Sequence, residues 1–400
     1  MSVKDLSELT SRCIHCGLCL EACPTFVLTS DEAQSPRGRI HLVNAVLEGE
    51  MDWGRQVDGP LSTCLGCRAC ETACPSGVGY GSILELARKA LRDVDGKPLH
   101  KAFANALTSS KALRAQLALA KVWPGKRVPV FVSAAISGRS AEAEIPKAQE
   151  LPDWPPIPEE ELPEVKGEVY LLEGCVMGVL YPRVHEATKR LLRRAGYAVR
   201  STEGGCCGAM HAHLGYLDEA EKRVQSLAES LPADIPLVVN AAGCGSTLKE
   251  SLLKDRTKDL SEFLVEAGFE DYLKAHSKFE GVGTYHDACH LAHGQGITDP
   301  PRRLLRAING VHWVDLPESD MCCGSAGMYN LTQPTMARKL LDRKMANIDS
   351  TGAEFVVLGN PGCHAWIDQG ARERKGRVRV LHLAELLEES LIAGTGGSAL

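Results

Sequence analysis

A chain of 400 residues exceeds one ordinary hydrophobic core, so two or three domains are expected. Its hydrophobic fraction of 44% and charged fraction of 24% match an ordinary globular protein, and a formal charge of −6 speaks against a nucleic-acid partner. No apolar run approaches the roughly 18–20 residues of a membrane span. The longest candidate, Val128 to Ile136, is far too short, and the polar stretch from Met1 to Cys13 does not read as a secretory signal.

Sixteen cysteines without such a signal point to a reducing cytoplasmic compartment, where thiols persist and bind metal. Eight lie between Cys13 and Cys74, and two sets of four lie between Cys175 and Cys363, with none left over.

The first segment, residues 1–94, carries Cys13-x2-Cys16-x2-Cys19-x3-Cys23-Pro24 and Cys64-x2-Cys67-x2-Cys70-x3-Cys74-Pro75. Both are complete bacterial ferredoxin runs, in which three closely spaced thiolates wrap one [4Fe–4S] cube and the fourth reaches the other. That rule assigns Cys13, Cys16, Cys19 and Cys74 to one cluster and Cys64, Cys67, Cys70 and Cys23 to the second. Structural zinc also accepts Cys-x2-Cys pairs, but not in two four-cysteine runs each closed by proline. Between the runs, Ile40, Leu42, Val43, Val46 and Leu47 share a helical face after the turn signal Pro36-Arg37-Gly38. Ser82 and Glu85 read as a capping box opening a helix through Arg92. The forty residues separating Cys23 from Cys64 predict a helical two-cluster domain rather than the small β-α-β ferredoxin.

Residues 95–166 form a basic helical segment and a proline-rich linker. From 97 to 127 there are seven basic residues (Lys97, Lys101, Lys111, Arg114, Lys121, Lys126, Arg127) and no acid. Such a stretch suits helices packed on a partner, or an anionic membrane surface. Prolines 146, 152, 155, 156, 158 and 163 then predict an extended strap.

An internal repeat follows, at 167–277 and 278–392. In the first copy, Val169 to Glu173 reads as a buried strand leading to Cys175. A strand near Ala198 to Arg200 precedes Cys206-Cys207-Gly208, and Pro236 to Asn240 leads to Cys244. The second copy runs from Thr284 to Cys289, through a helix near Arg302 to Ile308 and a strand from Val311 to Leu316, to Cys322-Cys323-Gly324. Its strand Glu354 to Leu358 leads to Cys363. Alternating strands and helices imply parallel α/β units, whose ligands gather at the carboxyl ends of the strands. Each copy thus offers one further metal site: Cys175, Cys206, Cys207 and Cys244, or Cys289, Cys322, Cys323 and Cys363. The glycine after each cysteine pair is expected to let the backbone approach the cluster. Thiols can also serve as small buried residues, which leaves empty relic repeats as the alternative. His211, His213, His286, His290 and His293 lie near these cysteines and could ligate haem or zinc, although local hydrogen bonding or a surface position is the commoner role for histidine. The fold class is therefore multi-domain: an N-terminal α-helical two-cluster ferredoxin domain, then two repeated α/β cysteine-rich domains.

The repeat, Cys…Cys-Cys-Gly…Gly-Cys, resembles the cysteine-rich CCG domain of heterodisulfide reductases, but Ala241 and Asn360 stand where its fullest form carries a fifth cysteine. Taken with Ser35-Pro36-Arg37-Gly38-Arg39-Ile40, Leu172-Glu173-Gly174-Cys175, Gly205-Cys206-Cys207-Gly208-Ala209 and Cys322-Cys323-Gly324-Ser325-Ala326-Gly327, the chain resembles the iron–sulfur subunit of bacterial glycolate oxidase. The resemblance implies flavoprotein partners that oxidise glycolate, a respiratory acceptor such as quinone, and a place in the cytoplasm or peripherally on the inner membrane's cytoplasmic face. The residues agree with a helper role. No G-x-G-x-x-G fingerprint follows a strand, and no nucleophile–base set stands out, so no catalytic residue is assigned and flavin is expected only on partners. The same residues also suit an iron–sulfur subunit for glycerol-3-phosphate or lactate oxidation, or an enzyme that reduces disulfides.

Overall fold

A computed structural model describes residues 3–122, 143–202 and 204–396. The apolar run from Val128 to Ile136, with Lys126 and Arg127, lies outside them. The first 95 residues are helical. Val3–Ser11, Pro36–Leu47, Arg55–Thr63 and Tyr80–Asp95 pack around Leu6, Ile40, Val43, Leu61, Ile83 and Leu84. Ser35 caps the second of these by accepting from Gly38 N, and Pro36 at the first helical position fixes the entry. The helix expected to open at Ser82 begins earlier, at Tyr80, without any side-chain cap. Ser82 lies inside its first turn. Burial of Tyr80, Ile83 and Leu84 sets the start, which outweighs a local capping signal.

Helices Pro98–Thr108 and Ser110–Val122 carry the basic segment. Lys97 pairs with Asp58, Lys101 with Glu219, and Arg114 donates to Gly178 O, so three of the basic residues hold domains together. From 143 to 166 the chain is a strap with little regular structure. It is pinned by Gln369 Oε1 on Glu144 N, by Gln149 to Glu385, and by Trp154 under the guanidinium groups of Arg183 and Arg190.

Each repeat is a four-stranded parallel sheet. The first comprises β1 (Gly167–Leu171), β2 (Tyr197–Ser201), β3 (Leu237–Val239) and β4 (Thr257–Asp259), in the order β2-β1-β3-β4. The second repeats that order with β5 (Gly281–Tyr285), β6 (Val311–Trp313), β7 (Phe355–Leu358) and β8 (Arg379–His382), as β6-β5-β7-β8. Central strands β3 and β7 are buried throughout, as helices on both faces of a parallel sheet require. Sequence pattern foresaw three strands per copy. The fourth, Thr-Lys-Asp or Arg-Val-Leu-His, is a short, partly charged edge strand that pairs only with β3 or β7. β6 ends at Trp313, short of the expected Leu316.

The repeats embrace reciprocally. Helix Leu383–Gly394 of the second lies on Pro182–Arg194 of the first, while Leu260–Glu266 of the first lies on Asp299–Arg306 of the second. Equivalent capping boxes start the two donated helices, Asp259 with Glu262 and His382 with Glu385. One apolar core runs through both repeats.

Candidate metal centres

Cys23, Cys64, Cys67 and Cys70 line one small closed cavity, together with Arg39 and Tyr80, and all four thiols are buried. Cys23 sits at the N-terminus of Pro24–Thr29, where its Sγ lies 3.2 Å from Thr25 Oγ1. Gly66 N donates to Cys64 Sγ at 3.4 Å and the Tyr80 hydroxyl donates to it at 3.7 Å. Burial pushes the Cys67 and Cys70 thiols well up, with neighbouring sulfurs adding to the effect. Cys64 is the exception. Burial raises its pKa, but the charges of Arg39 and Arg88 more than offset that and bring it below the ordinary thiol value.

Arg39 and Arg88 were not singled out from sequence as site residues. Arg39 is 1% exposed and donates to Pro60 O at 2.7 Å, Thr25 Oγ1 at 3.0 Å, Gln34 Oε1 at 3.1 Å and Cys23 Sγ at 3.8 Å. Arg88 donates to Leu61 O, Cys64 O and His213 O. Among the described residues, no carboxylate hydrogen-bonds to Arg39. A buried cation is costly unless something anionic faces it, and thiolates are what face this one. Those residues fit a thiolate-bound, negatively charged iron–sulfur group. The available signal was positional: Arg39 shares the buried helix face of Pro36, Ile40 and Val43.

Cys13, Cys19 and Cys74 are half-buried against the same helical core, and Cys16 is exposed. Ile14 and Leu18 beside them are 68% and 62% exposed. Burial raises the Cys19 thiol, and Cys13 and Cys23 are close enough to raise it further.

In the first repeat, Cys175 follows β1 and lies 3.9 Å from Cys206, sulfur to sulfur, while Cys207 interacts with both Cys206 and Cys244. Hydrogen bonds from Cys175 and Cys207 lower the Cys206 pKa, making it the readiest thiolate of the set. The second repeat repeats the chain of contacts: Cys289 to Cys322, Cys322 to Cys323, Cys323 to Cys363. All four of these are buried, whereas only Cys207 is buried in the first set. Gly208 and Gly324 have φ of +78° and +92°, and a Cβ on either would stand 2.7 Å from the carbonyl of Ala220 or Ala337. Both let a later helix, Leu217–Glu229 or Pro334–Thr351, close onto the cysteine pair.

The second ferredoxin run adjoins the second repeat. Leu65, Cys67 and Ala69 share an apolar cluster with Cys289, Cys322, Cys323 and Cys363, and the Cys67 thiol feels the charge of Cys289. Four of the five histidines work at these seams. His211 meets Asn105 at 2.9 Å, His293 meets Thr72 at 2.9 Å, and the His213 and His290 rings lie 4.9 Å apart. Tyr329 adds a bond to Thr63 O.

With this geometry in hand, comparison with known proteins is specific. Residues 9–78 match the 4Fe-4S dicluster domain, and residues 169–249 and 283–368 match the cysteine-rich CCG domain. The glycolate oxidase iron–sulfur subunit of Escherichia coli is 33% identical, the alignment covering 97% of this chain and 95% of that one. A Bacillus subtilis protein named "Probable glycolate oxidase iron-sulfur subunit" is 35% identical over 96% of this chain and 95% of its own. Lactate utilization protein A of Oceanobacillus iheyensis is 29% identical over 55% of this chain and 96% of its own length.

Proposed function

We propose, because the chain belongs to the family of glycolate oxidase iron–sulfur subunits, that it serves as the electron-transfer subunit of a flavin-dependent glycolate dehydrogenase. Cys13, Cys16, Cys19 and Cys74 hold one [4Fe–4S] cluster, Cys23, Cys64, Cys67 and Cys70 the other, and each repeat's four cysteines one more. Bound there, the clusters supply one-electron carriage, which a two-electron flavin on a partner needs for delivery to a distant acceptor.

The observation that carries this reading is a succession of thiols from surface to interior, with Cys23 near Cys19 and Cys289 near Cys67. Cys16 is exposed between the apolar Ile14 and Leu18, a surface suited to a docking flavoprotein. The Cys23–Cys70 set is buried behind it, and Cys67 packs against Cys289 and Cys322. Arg39 and Arg88 hold positive charge beneath the thiolates, and Tyr80 with Gly66 N directs hydrogen bonds at Cys64.

Between the basic helices, the strap and the two repeats, a largely apolar cavity of about 1350 Å³ reaches Val176, Ser325 and Gly362, neighbours of Cys175, Cys323 and Cys363, and Trp366. Its size and lining suit a quinone as the acceptor. No helix among the described residues is long and apolar enough to cross a membrane. Exposed Lys111 and Arg114 leave a peripheral membrane contact as part of the reading.

Cluster pairing is the direct test. Cys23→Ser should remove the EPR signal of the cluster held by Cys64, Cys67 and Cys70 and leave the other intact. Loss of the cluster held by Cys13, Cys16 and Cys19 instead would refute the assignment.

A further inference from the structure

The two repeats carry the same four cysteines, but the residue three positions before the first differs: Leu172 in one, His286 in the other. His286 is 0% exposed at the end of β5. Its Nδ1 lies 2.9 Å from Ser319 O. A carbonyl only accepts, so Nδ1 carries the proton and Nε2 keeps a bare lone pair. That Nε2 is fully buried with no hydrogen-bond partner. The His286 ring lies, with Cys323 Sγ and Cys363 Sγ, in a group whose ligand atoms are all within 4.8 Å of one another. Among the described residues no other trio of histidine, cysteine or acidic ligand atoms closes to that distance.

Two features of this arrangement point to metal. An imidazole held in one tautomer by a backbone carbonyl, with its second nitrogen free, is the usual posture of a ligating histidine. Sulfur–metal bonds near ~2.3 Å and nitrogen–metal bonds near ~2.0–2.1 Å bring the donors of a metal site close together, as these three are. Among the described residues, none of the other four histidines stands in such a group.

We propose that His286 Nε2 is a ligand in the second repeat, beside Cys323 and Cys363, so that this repeat holds a mixed imidazole–thiolate iron–sulfur cluster and the first an all-thiolate one. The inference rests on the reading that the second repeat holds a cluster. Where a neutral imidazole nitrogen takes the place of an anionic thiolate, a cluster becomes easier to reduce, as in Rieske centres.

Pulsed EPR of the anaerobically purified full chain, with and without 15N-histidine, tests this without any substitution. A reduced-cluster signal with nitrogen hyperfine coupling, changed by the label, is expected beyond the two ferredoxin signals. In His286→Cys the coupling should vanish while iron content holds and the potential shifts downward. In His286→Leu, which copies the first repeat, the coupling should vanish with the ferredoxin signals kept. A second-repeat cluster lacking nitrogen coupling overturns the ligand assignment alone. Iron that stops at the eight atoms of two cubes, or zinc in the repeat, overturns the cluster reading and the assignment with it.

Discussion

The two cysteine-rich repeats share a sheet order, a capping device and a pattern of four thiols, yet they occupy different surroundings. The second buries all four cysteines, sets His286 among them and packs on Cys67 of the ferredoxin region. The first leaves Cys175, Cys206 and Cys244 half-buried, with Leu172 where the histidine stands. Duplication preserved the scaffold while position in the molecule separated the sites. The repeat nearest the second ferredoxin set is the dry one, where electrostatic effects on a bound cluster are strongest.

Their reciprocal seams differ in the same way, and this is where the comparison can be broken hardest. Where Leu383–Gly394 meets Pro182–Arg194, Glu388 is buried between Arg190 and Arg194, each at 2.5 Å. Glu388→Gln would remove the buried charge that Arg194 and the partly buried Arg190 share, so a loss of about 3 kcal/mol is expected in chemical denaturation. At the other seam, Arg303 pairs with Glu270 while 45% exposed, and Arg303→Gln should cost less than about 1 kcal/mol. Equal costs would show that the two seams are energetically alike.

A smaller effect comes from acid. His382 Nε2 meets Asn240 O across the seam at 2.9 Å, and the Asn240 side chain meets His185 at 3.3 Å. Burial depresses both imidazoles, His185 to about 4 and His382 to about 3. Unfolded histidine titrates near ~6.5, so between those values the unfolded chain binds more protons than the folded one. Stability is therefore complete above about pH 6.5 and falls as pH drops toward 4. Asp259, raised by burial to about 6, works in the opposite direction over part of that range and blunts the slope. Denaturation midpoints measured from pH 7.5 to 4.5 should decline. His382→Gln, which has no charge to gain, should flatten the decline.

Much of this was legible in the sequence, and the exceptions have physical causes. The ferredoxin runs and cysteine pairs were readable because metal ligation fixes spacing, and β3 and β7 because parallel strands buried on both faces are continuous apolar runs. β4 and β8 escaped because Thr257-Lys258-Asp259 and Arg379 to His382 carry charge and owe their pairing to neighbours distant in sequence. Arg39 escaped because a charge on an apolar helix face reads as noise until the thiols opposite it are placed. His286 could not be told from His290 or His293 by nearness to Cys289. Its closeness to Cys323 and Cys363, more than thirty residues away in sequence, is what separates it from them. The close approach of the glycines after the cysteine pairs to Ala220 and Ala337 was not legible, because those residues lie on helices that fold back.

The central claim is that this chain carries electrons away from a flavin that belongs to a partner, along a path on which Cys67 stands between the ferredoxin region and the second repeat. Stopped-flow on the assembled complex, comparing the native chain with Cys67→Ser, tests it most directly. Glycolate should still bleach the flavin at an unchanged rate in the variant, while reduction of an external quinone should fall by at least tenfold. Quinone reduction at the native rate in Cys67→Ser, or glycolate oxidation by this chain without its partner, would contradict the account.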